Sequence, residues 1–246
     1  MMRFFSVPSV SSVVSDFMKI NFPLPIKAVV IDLDGTLLDT APDLADAAIA
    51  MAEELDLPPI DLATVKTYIG NGVSRLVKRV LTRDMDAEPD AELFGRALPS
   101  YEKHYAAHVS RKSQVFPGVR EGIEALKQAG LHVACITNKA EKFTLPLLAR
   151  TGLAGYFEIT LSGDSLPERK PHPLPLQHAA KYFGCPQAQM LLIGDSLNDA
   201  EAARAAGSPV FIVPYGYNEG QELRGLDCDA FIDDVPSALK FVKLAA

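Results

Sequence analysis

Five short apolar runs, IKAVVID, LHVACIT, FEITLS, MLLIGD and PVFIV, recur along the chain, and segments of helical period separate most of them. Runs of this kind, rich in β-branched residues, read as strands. Strands that alternate with helices imply a parallel sheet covered on both faces, which places the chain in the α/β class. The 246 residues, 48% of them hydrophobic, suffice for one domain with an elaboration or for two small domains.

The alternation fails in one interval. Between Ala41 and Lys112 no strand is evident, and the segment reads as helices. In PDLADAAIAMAEEL, Leu44, Ala48, Met51 and Leu55 form one stripe, with Pro42 near the start and Pro58-Pro59 beyond the end. GVSRLVKRVL and AELFGRALPSYEKHYAAH read as further helices, and the sheet resumes near Phe116-Pro117-Gly118. The expected division is a core over 27–40 and 113–246, a helical insertion over 41–112, and an N-terminal extension over 1–26. In that extension Pro8 and scattered serines argue against a signal peptide, and Met18 offers an alternative start.

Polar residues follow the apolar runs: Asp32 and Asp34 the first, Thr137 and Asn138 the second, Lys170 in the loop beyond the third, Asp195 the fourth. The carboxyl ends of strands in open parallel sheets are where sites form, so these residues are expected to converge. Asp32 and Asp34 flank a single apolar residue, and like charges that close resist burial unless a cation or a proton intervenes. Asp195 and Asp199 in GDSLND form a second acidic pair, whereas Asp39 reads as a turn or cap residue. Four carboxylates brought together call for a hard cation, and Mg²⁺ fits an all-oxygen set. Lys170 adds a fixed positive charge, Thr137 a hydroxyl, and the backbone amides of Gly35 and Asn138 are expected to be free; such a set suits a phosphoryl group. One carboxylate could attack phosphorus while the other moves protons.

DLDGTLLDT, TN, KP and GDSLND, in this order, resemble the four motifs of the haloacid dehalogenase-like superfamily, over essentially the whole chain from Lys27 onward. The resemblance implies a Rossmann-like doubly wound core with an inserted helical cap. It implies Asp32 as nucleophile, Asp34 as general acid and base, Thr137 binding the phosphoryl group with Gly35, Thr36 and Asn138 beside it, and Lys170 holding it and the nucleophile. The implied metal ligands are the Asp32 carboxylate, the Asp34 backbone carbonyl and the Asp195 carboxylate, with Asp199 behind them. Members that expel halide lack the second aspartate, so Asp34 favours phosphate chemistry.

YIGNGVSRLV, YGYNEG and SLPERKPHPLPL are similar to segments of the phosphoglycolate phosphatases in that superfamily. That likeness implies hydrolysis of 2-phosphoglycolate, with Gly70, Asn71, Gly72 and Arg75 reading the far end of the substrate. Lys78 and Arg79 are expected on a solvated helix face. A phosphatase or mutase acting on other small phosphate monoesters or sugar phosphates, and a non-catalytic phosphate-binding module, stay open as alternatives.

A net charge of −7 argues against a general nucleic-acid or membrane-surface binder, and no run approaches the roughly 20 apolar residues of a membrane span. Cys135, Cys185 and Cys228 are odd in number and widely spaced, which suits reduced thiols in the cytoplasm. His104 and His108 are spaced as zinc ligands on one helix, but they lack the companion glutamate and read as polar surface.

Overall fold

The computed structural model describes residues 21–245; most of the expected N-terminal extension, 1–20, lies outside the described residues. In chain order the elements are β1 (Leu24–Ile26), β2 (Ala28–Ile31), β3 (Leu38–Asp39), α1 (Ala41–Glu54), α2 (Leu62–Thr67), α3 (Gly72–Thr82) and α4 (Ala91–His108). β4 (Gln114–Val115), α5 (Val119–Gln128), β5 (His132–Ile136), α6 (Glu141–Arg150), β6 (Ile159–Leu161) and α7 (Leu174–Phe183) follow. The chain finishes with β7 (Met190–Gly194), α8 (Leu197–Ala206), β8 (Val210–Ile212), β9 (Ala230–Phe231) and β10 (Val242–Leu244).

The main sheet runs β6-β5-β2-β7-β8-β9 with every pair parallel. β2 lies inside the sheet, paired on both edges, and Ala28, Val29, Val30 and Ile31 are all fully buried. Each of its larger side chains contributes about 1.5–3 kcal/mol by leaving water. The period of two divides them cleanly. Val29 and Ile31 join the cluster that includes α5 and α6, and Ala28 and Val30 join the cluster under α7 and α8. From β2 the chain winds outward first through β5 and β6, then returns to β7 on the other side. The carboxyl end of β2 therefore lies at the point where the winding reverses, the usual position of a site in open α/β sheets.

The expected strands all form, but IKAVVID splits: Ile26 pairs with Leu244 in a separate two-stranded β1–β10 sheet, and only 28–31 enter the main sheet. β1, β9 and β10 were not expected, and all are short edge elements with weak periodic signal.

Four helices occupy the interval 41–112. Ala-rich α1 buries Leu44, Ala48 and Met51 and packs on α4, where Tyr101 and Tyr105 are fully buried and Tyr101 donates to the Leu44 carbonyl at 3.3 Å. α2 was not foreseen, since six residues are too few to show a period; Asp61 caps it by accepting from Thr64 N at 2.8 Å. The two connections into and out of this helical segment meet as the antiparallel β3–β4 pair. His104 points to Glu54 at 2.7 Å on the segment's outer surface.

Candidate active site

β2 hands the chain directly to the site. Asp32 N still donates to the Ile193 carbonyl at 2.9 Å, so its side chain emerges at the sheet's carboxyl edge between β5 and β7. Lys170 Nζ lies 2.7 Å from Asp32 Oδ1 and 2.7 Å from Asp199 Oδ1. Of the two, only the Asp199 contact has hydrogen-bonding alignment, and Asp32 Oδ1 is a buried oxygen without a directed donor. Asp199 is spent on scaffolding: its other oxygen accepts from Ser196 Oγ at 2.7 Å and from the amides of Ser196 and Asp195, tying the start of α8 to the lysine.

Asp195 is held from below. Thr36 Oγ1 donates to Oδ1 at 3.0 Å and Tyr217 N to Oδ2 at 2.7 Å. Gly35, at φ +88°, passes so close that a Cβ would stand 2.3 Å from Asp195 Oδ2, and at Gly216 a Cβ would stand 2.2 Å from Asp195 Cβ. Two backbones thus press against one carboxylate, which only glycine permits.

One oxygen from each of Asp32, Asp195 and Asp199 falls in a cluster whose atoms all lie within 4.8 Å of one another. Three buried carboxylates against one ammonium leave an excess of negative charge. Burial pushes the Asp32 carboxyl well up, an effect that Lys170 offsets in part and that Asp199 and Asp195 reinforce. Burial and Asp199 raise Asp195 to about 7. Burial works against the Lys170 charge, but the Asp199 and Asp32 carboxylates outweigh it and hold the ammonium above its usual range. The hard oxygen donors, the undirected Asp32 Oδ1 and the excess charge all fit a divalent cation.

Asp34 faces another partner. Lys139 Nζ, buried to 3% exposure, bridges both its oxygens at 3.0 and 3.1 Å, and Thr40 Oγ1 donates to Oδ1 at 2.6 Å. Thr137 Oγ1 accepts from Lys139 N at 3.2 Å, and its own proton has no acceptor among the described residues. Asn138 Nδ2 donates to the Lys170 carbonyl at 2.9 Å and to the Gly70 carbonyl at 3.0 Å, linking the lysine's backbone to the helical segment.

These groups open on one cavity of about 580 Å³, a volume that includes solvent at its mouth. Asp32, Asp34, Thr137, Asn138, Lys139, Lys170 and Asp195 line its floor, and Leu44, Ile69, Val73 and Leu76 of the helical segment form an apolar wall. Gly70 and Gly72 also line it.

Several expected positions lie elsewhere. Gly35 N donates to the Leu38 carbonyl at 2.9 Å because the chain turns back into β3, so this amide is paired. Gly35 and Thr36 touch Asp195 from behind rather than the cavity. Asn71 donates its amide to Glu219 Oε1. Arg75 turns to Glu88 Oε1 at 3.3 Å and to the Asp86 carbonyl, away from the cavity. Arg79, expected in solvent, is 3% exposed and reaches Glu219 Oε1 at 3.0 Å. Asp39 stays outside the site and accepts from Tyr217 OH at 2.8 Å.

Sequence reasoning passed over Lys139, Thr40, Tyr217 and Glu219. Lys139 directly follows the Thr137-Asn138 pair, and Tyr217 and Glu219 lie in YGYNEG, so each stood beside a segment already singled out.

Residues 26–207 match the family model of the haloacid dehalogenase-like hydrolases. The chain belongs to that family. A phosphoglycolate phosphatase from Thiobacillus denitrificans is 64% identical over 92% of this chain and 99% of its own length. One from Nitrosospira multiformis is 56% identical over 91% of this chain and 98% of its own. A crystal structure described as a predicted phosphoglycolate phosphatase from Haemophilus somnus superposes with a TM-score of 0.82 at 35% identity, covering 87% of this chain and 97% of that one. This family member is thus a hydrolase with a doubly wound parallel core, and among the described residues no helix is long and apolar enough to cross a membrane.

Proposed function

We propose that the protein is a Mg²⁺-dependent phosphatase that hydrolyses 2-phosphoglycolate to glycolate and phosphate through an aspartyl phosphate on Asp32. The observation that carries the substrate is the high identity, over nearly the full length of both chains, to proteins named phosphoglycolate phosphatase. The reaction class rests on the paired carboxylates: one beside Lys170 and the acidic cluster, the other two residues on and outside it.

An Asp32 oxygen attacks phosphorus, and the bond from phosphorus to the ester oxygen breaks. Asp34 delivers its proton to that departing oxygen, and glycolate leaves. Water then attacks phosphorus, Asp34 takes the proton, and the bond to Asp32 breaks to release inorganic phosphate. Lys170 keeps Asp32 in place and adds positive charge, and the free Thr137 proton donates to a phosphoryl oxygen. The Asp32 and Asp195 carboxylates and the Asp34 backbone carbonyl would hold Mg²⁺, with Asp199 orienting Lys170 behind them. When bound, the cation neutralises charge on the phosphoryl oxygens and on Asp32. Residues 41–112 serve as a cap over the core formed by 27–40 and 113–246, and its wall of Leu44, Ile69, Val73 and Leu76 keeps bulk water from the reaction. The three free cysteines suit a cytoplasmic enzyme.

A panel of small phosphate monoesters, assayed with Mg²⁺ and with chelator, tests the reading. The expected result is preference for 2-phosphoglycolate, loss of turnover in chelator, and a fall of about 10⁴-fold or more in Asp32→Asn with an unchanged circular dichroism spectrum. Comparable rates on sugar phosphates would overturn the substrate, and no turnover of any ester by the folded protein would overturn the enzyme.

A further inference from the structure

We propose that Lys139 selects the substrate by binding the carboxylate of its leaving group; the inference rests on the 2-phosphoglycolate reading. Among the described residues that line the cavity, Lys139 and Lys170 are the only cations. Lys170 is committed, 2.7 Å from both Asp32 and Asp199. The arginines of α3 are committed as well, Arg75 to Glu88 on the outer surface and Arg79 to Glu219. Each lysine keeps a donor, but Lys170 stands beside Asp32, on the side of the phosphoryl group, and only Lys139 stands beside Asp34, on the side of the leaving group. The Lys139 ammonium carries three donors, of which Asp34 takes two, and it stands 4.9 Å from the Tyr105 ring centroid, which keeps it aimed across Asp34.

The chemistry of the ester puts the carboxylate at this spot. Asp34 must reach the ester oxygen to protonate it, within about 3 Å. In 2-phosphoglycolate a single methylene separates that oxygen from the carboxylate carbon, so the carboxylate oxygens lie within about 4 Å of the atom Asp34 serves. Lys139 Nζ is 3.0 Å from Asp34 Oδ1. A second anion entering a pocket that three aspartates already line, with Asp199 behind them, needs a cation there to offset its desolvation. Leaving groups that offer only hydroxyls leave the third donor of Lys139 without an anionic acceptor, and discrimination against them follows.

The test compares kcat/KM for 2-phosphoglycolate with that for its neutral isostere, 2-phosphoglycolamide, in wild type, Lys139→Gln and Lys139→Arg. Loss of the Asp34 partner lowers both rates alike, so the ratio isolates the carboxylate. Wild type is expected to favour the carboxylate about 10- to 100-fold, Lys139→Gln to bring the ratio near one, and Lys139→Arg to keep a reduced preference, since its fork cannot reproduce the ammonium's placement. A preference that survives in Lys139→Gln overturns the proposal. Should that variant not fold, no preference in wild type, or an undiminished one in Lys139→Arg, overturns it equally. If wild type favours sugar phosphates, the 2-phosphoglycolate reading falls first; if it favours 2-phosphoglycolate over sugar phosphates but not over the amide, only the role of Lys139 falls.

Discussion

The three aspartates of DLDGTLLD take three different surroundings within eight positions. Asp32 joins Lys170 and the acidic cluster, Asp34 joins Lys139 and Thr40, and Asp39 receives a phenol. The repulsion visible in the sequence is dissolved by pointing each carboxylate at its own donor. Within the acidic cluster Asp195 has the least cationic help, and its raised pKa has a consequence for stability. Its ordinary value is 3.8, and in the folded protein burial and Asp199 raise it to about 7. Between those values the folded state holds a proton that the unfolded chain has released, so stability falls as pH rises through the interval. Asp195→Asn removes that titration. In chelator, the melting temperature of the variant should therefore gain on wild type from about pH 4 to about pH 7 and then level off. Excess Mg²⁺ at neutral pH should raise the wild-type melting temperature and leave the variant's nearly unchanged. A gap that narrows with rising pH would contradict the placement of this carboxylate.

Among the elements, α1 and the β3–β4 pair decide how the helical segment is attached. Tyr217 OH accepts from Thr40 N at 2.7 Å and Ala41 N at 3.0 Å, meeting donors that the start of α1 leaves free. Asp43, fully buried in the first turn of α1, accepts from Lys112 N, Ser113 N and Ser113 Oγ at 2.8, 2.8 and 2.5 Å. One carboxylate thus binds the outgoing connection to the returning one. Asp43→Ala strands two amides and a hydroxyl, and a loss of about 2–4 kcal/mol is expected from denaturant midpoints at unchanged m-value. A loss under about 0.5 kcal/mol, the range of ordinary surface substitutions, would mean that the junction holds without it. α1 was legible because a proline start, a four-membered apolar stripe and a double-proline stop agree. Arg79 was misread because its neighbours in GVSRLVKRVL are basic, and period alone does not reveal that Glu219 waits across the cleft.

At the level of the whole molecule, the loop 215–220 joins what the chain keeps apart. Tyr217 N supports Asp195, Asn218 Oδ1 accepts from Leu197 N at the start of α8, and Glu219 reaches over to Arg79 and Asn71 of the helical segment. The Arg79–Glu219 pair is largely buried, so breaking it leaves a guanidinium without its counter-ion. Glu219→Ala should lower the free energy of local opening by about 2–4 kcal/mol, read as faster hydrogen exchange across 68–82. It should also raise KM for 2-phosphoglycolate several-fold, because Ile69, Gly70, Gly72 and Val73 line the cavity. Unchanged exchange and KM would show that the helical segment is seated by its apolar contacts alone.

By itself the sequence determined the alternation of strand and helix, the parallel sheet that follows from it, the interruption by helices, and the polar residue waiting at each strand end. These are local properties, carried by periods of two and 3.6 and by which residues stop a run. Tertiary structure alone decided which charge each of those residues meets. The order β5-β2-β7 brings Lys139, Asp32 and Asp195 to one edge from positions far apart in the chain, and the loop after β8 supplies Tyr217 and Glu219. Spacing shows where a side chain leaves the backbone, whereas its partner is set by the packing of distant segments. For that reason the aspartates that gather at the strand ends could be read from the sequence, and the lysine poised over Asp34 could not.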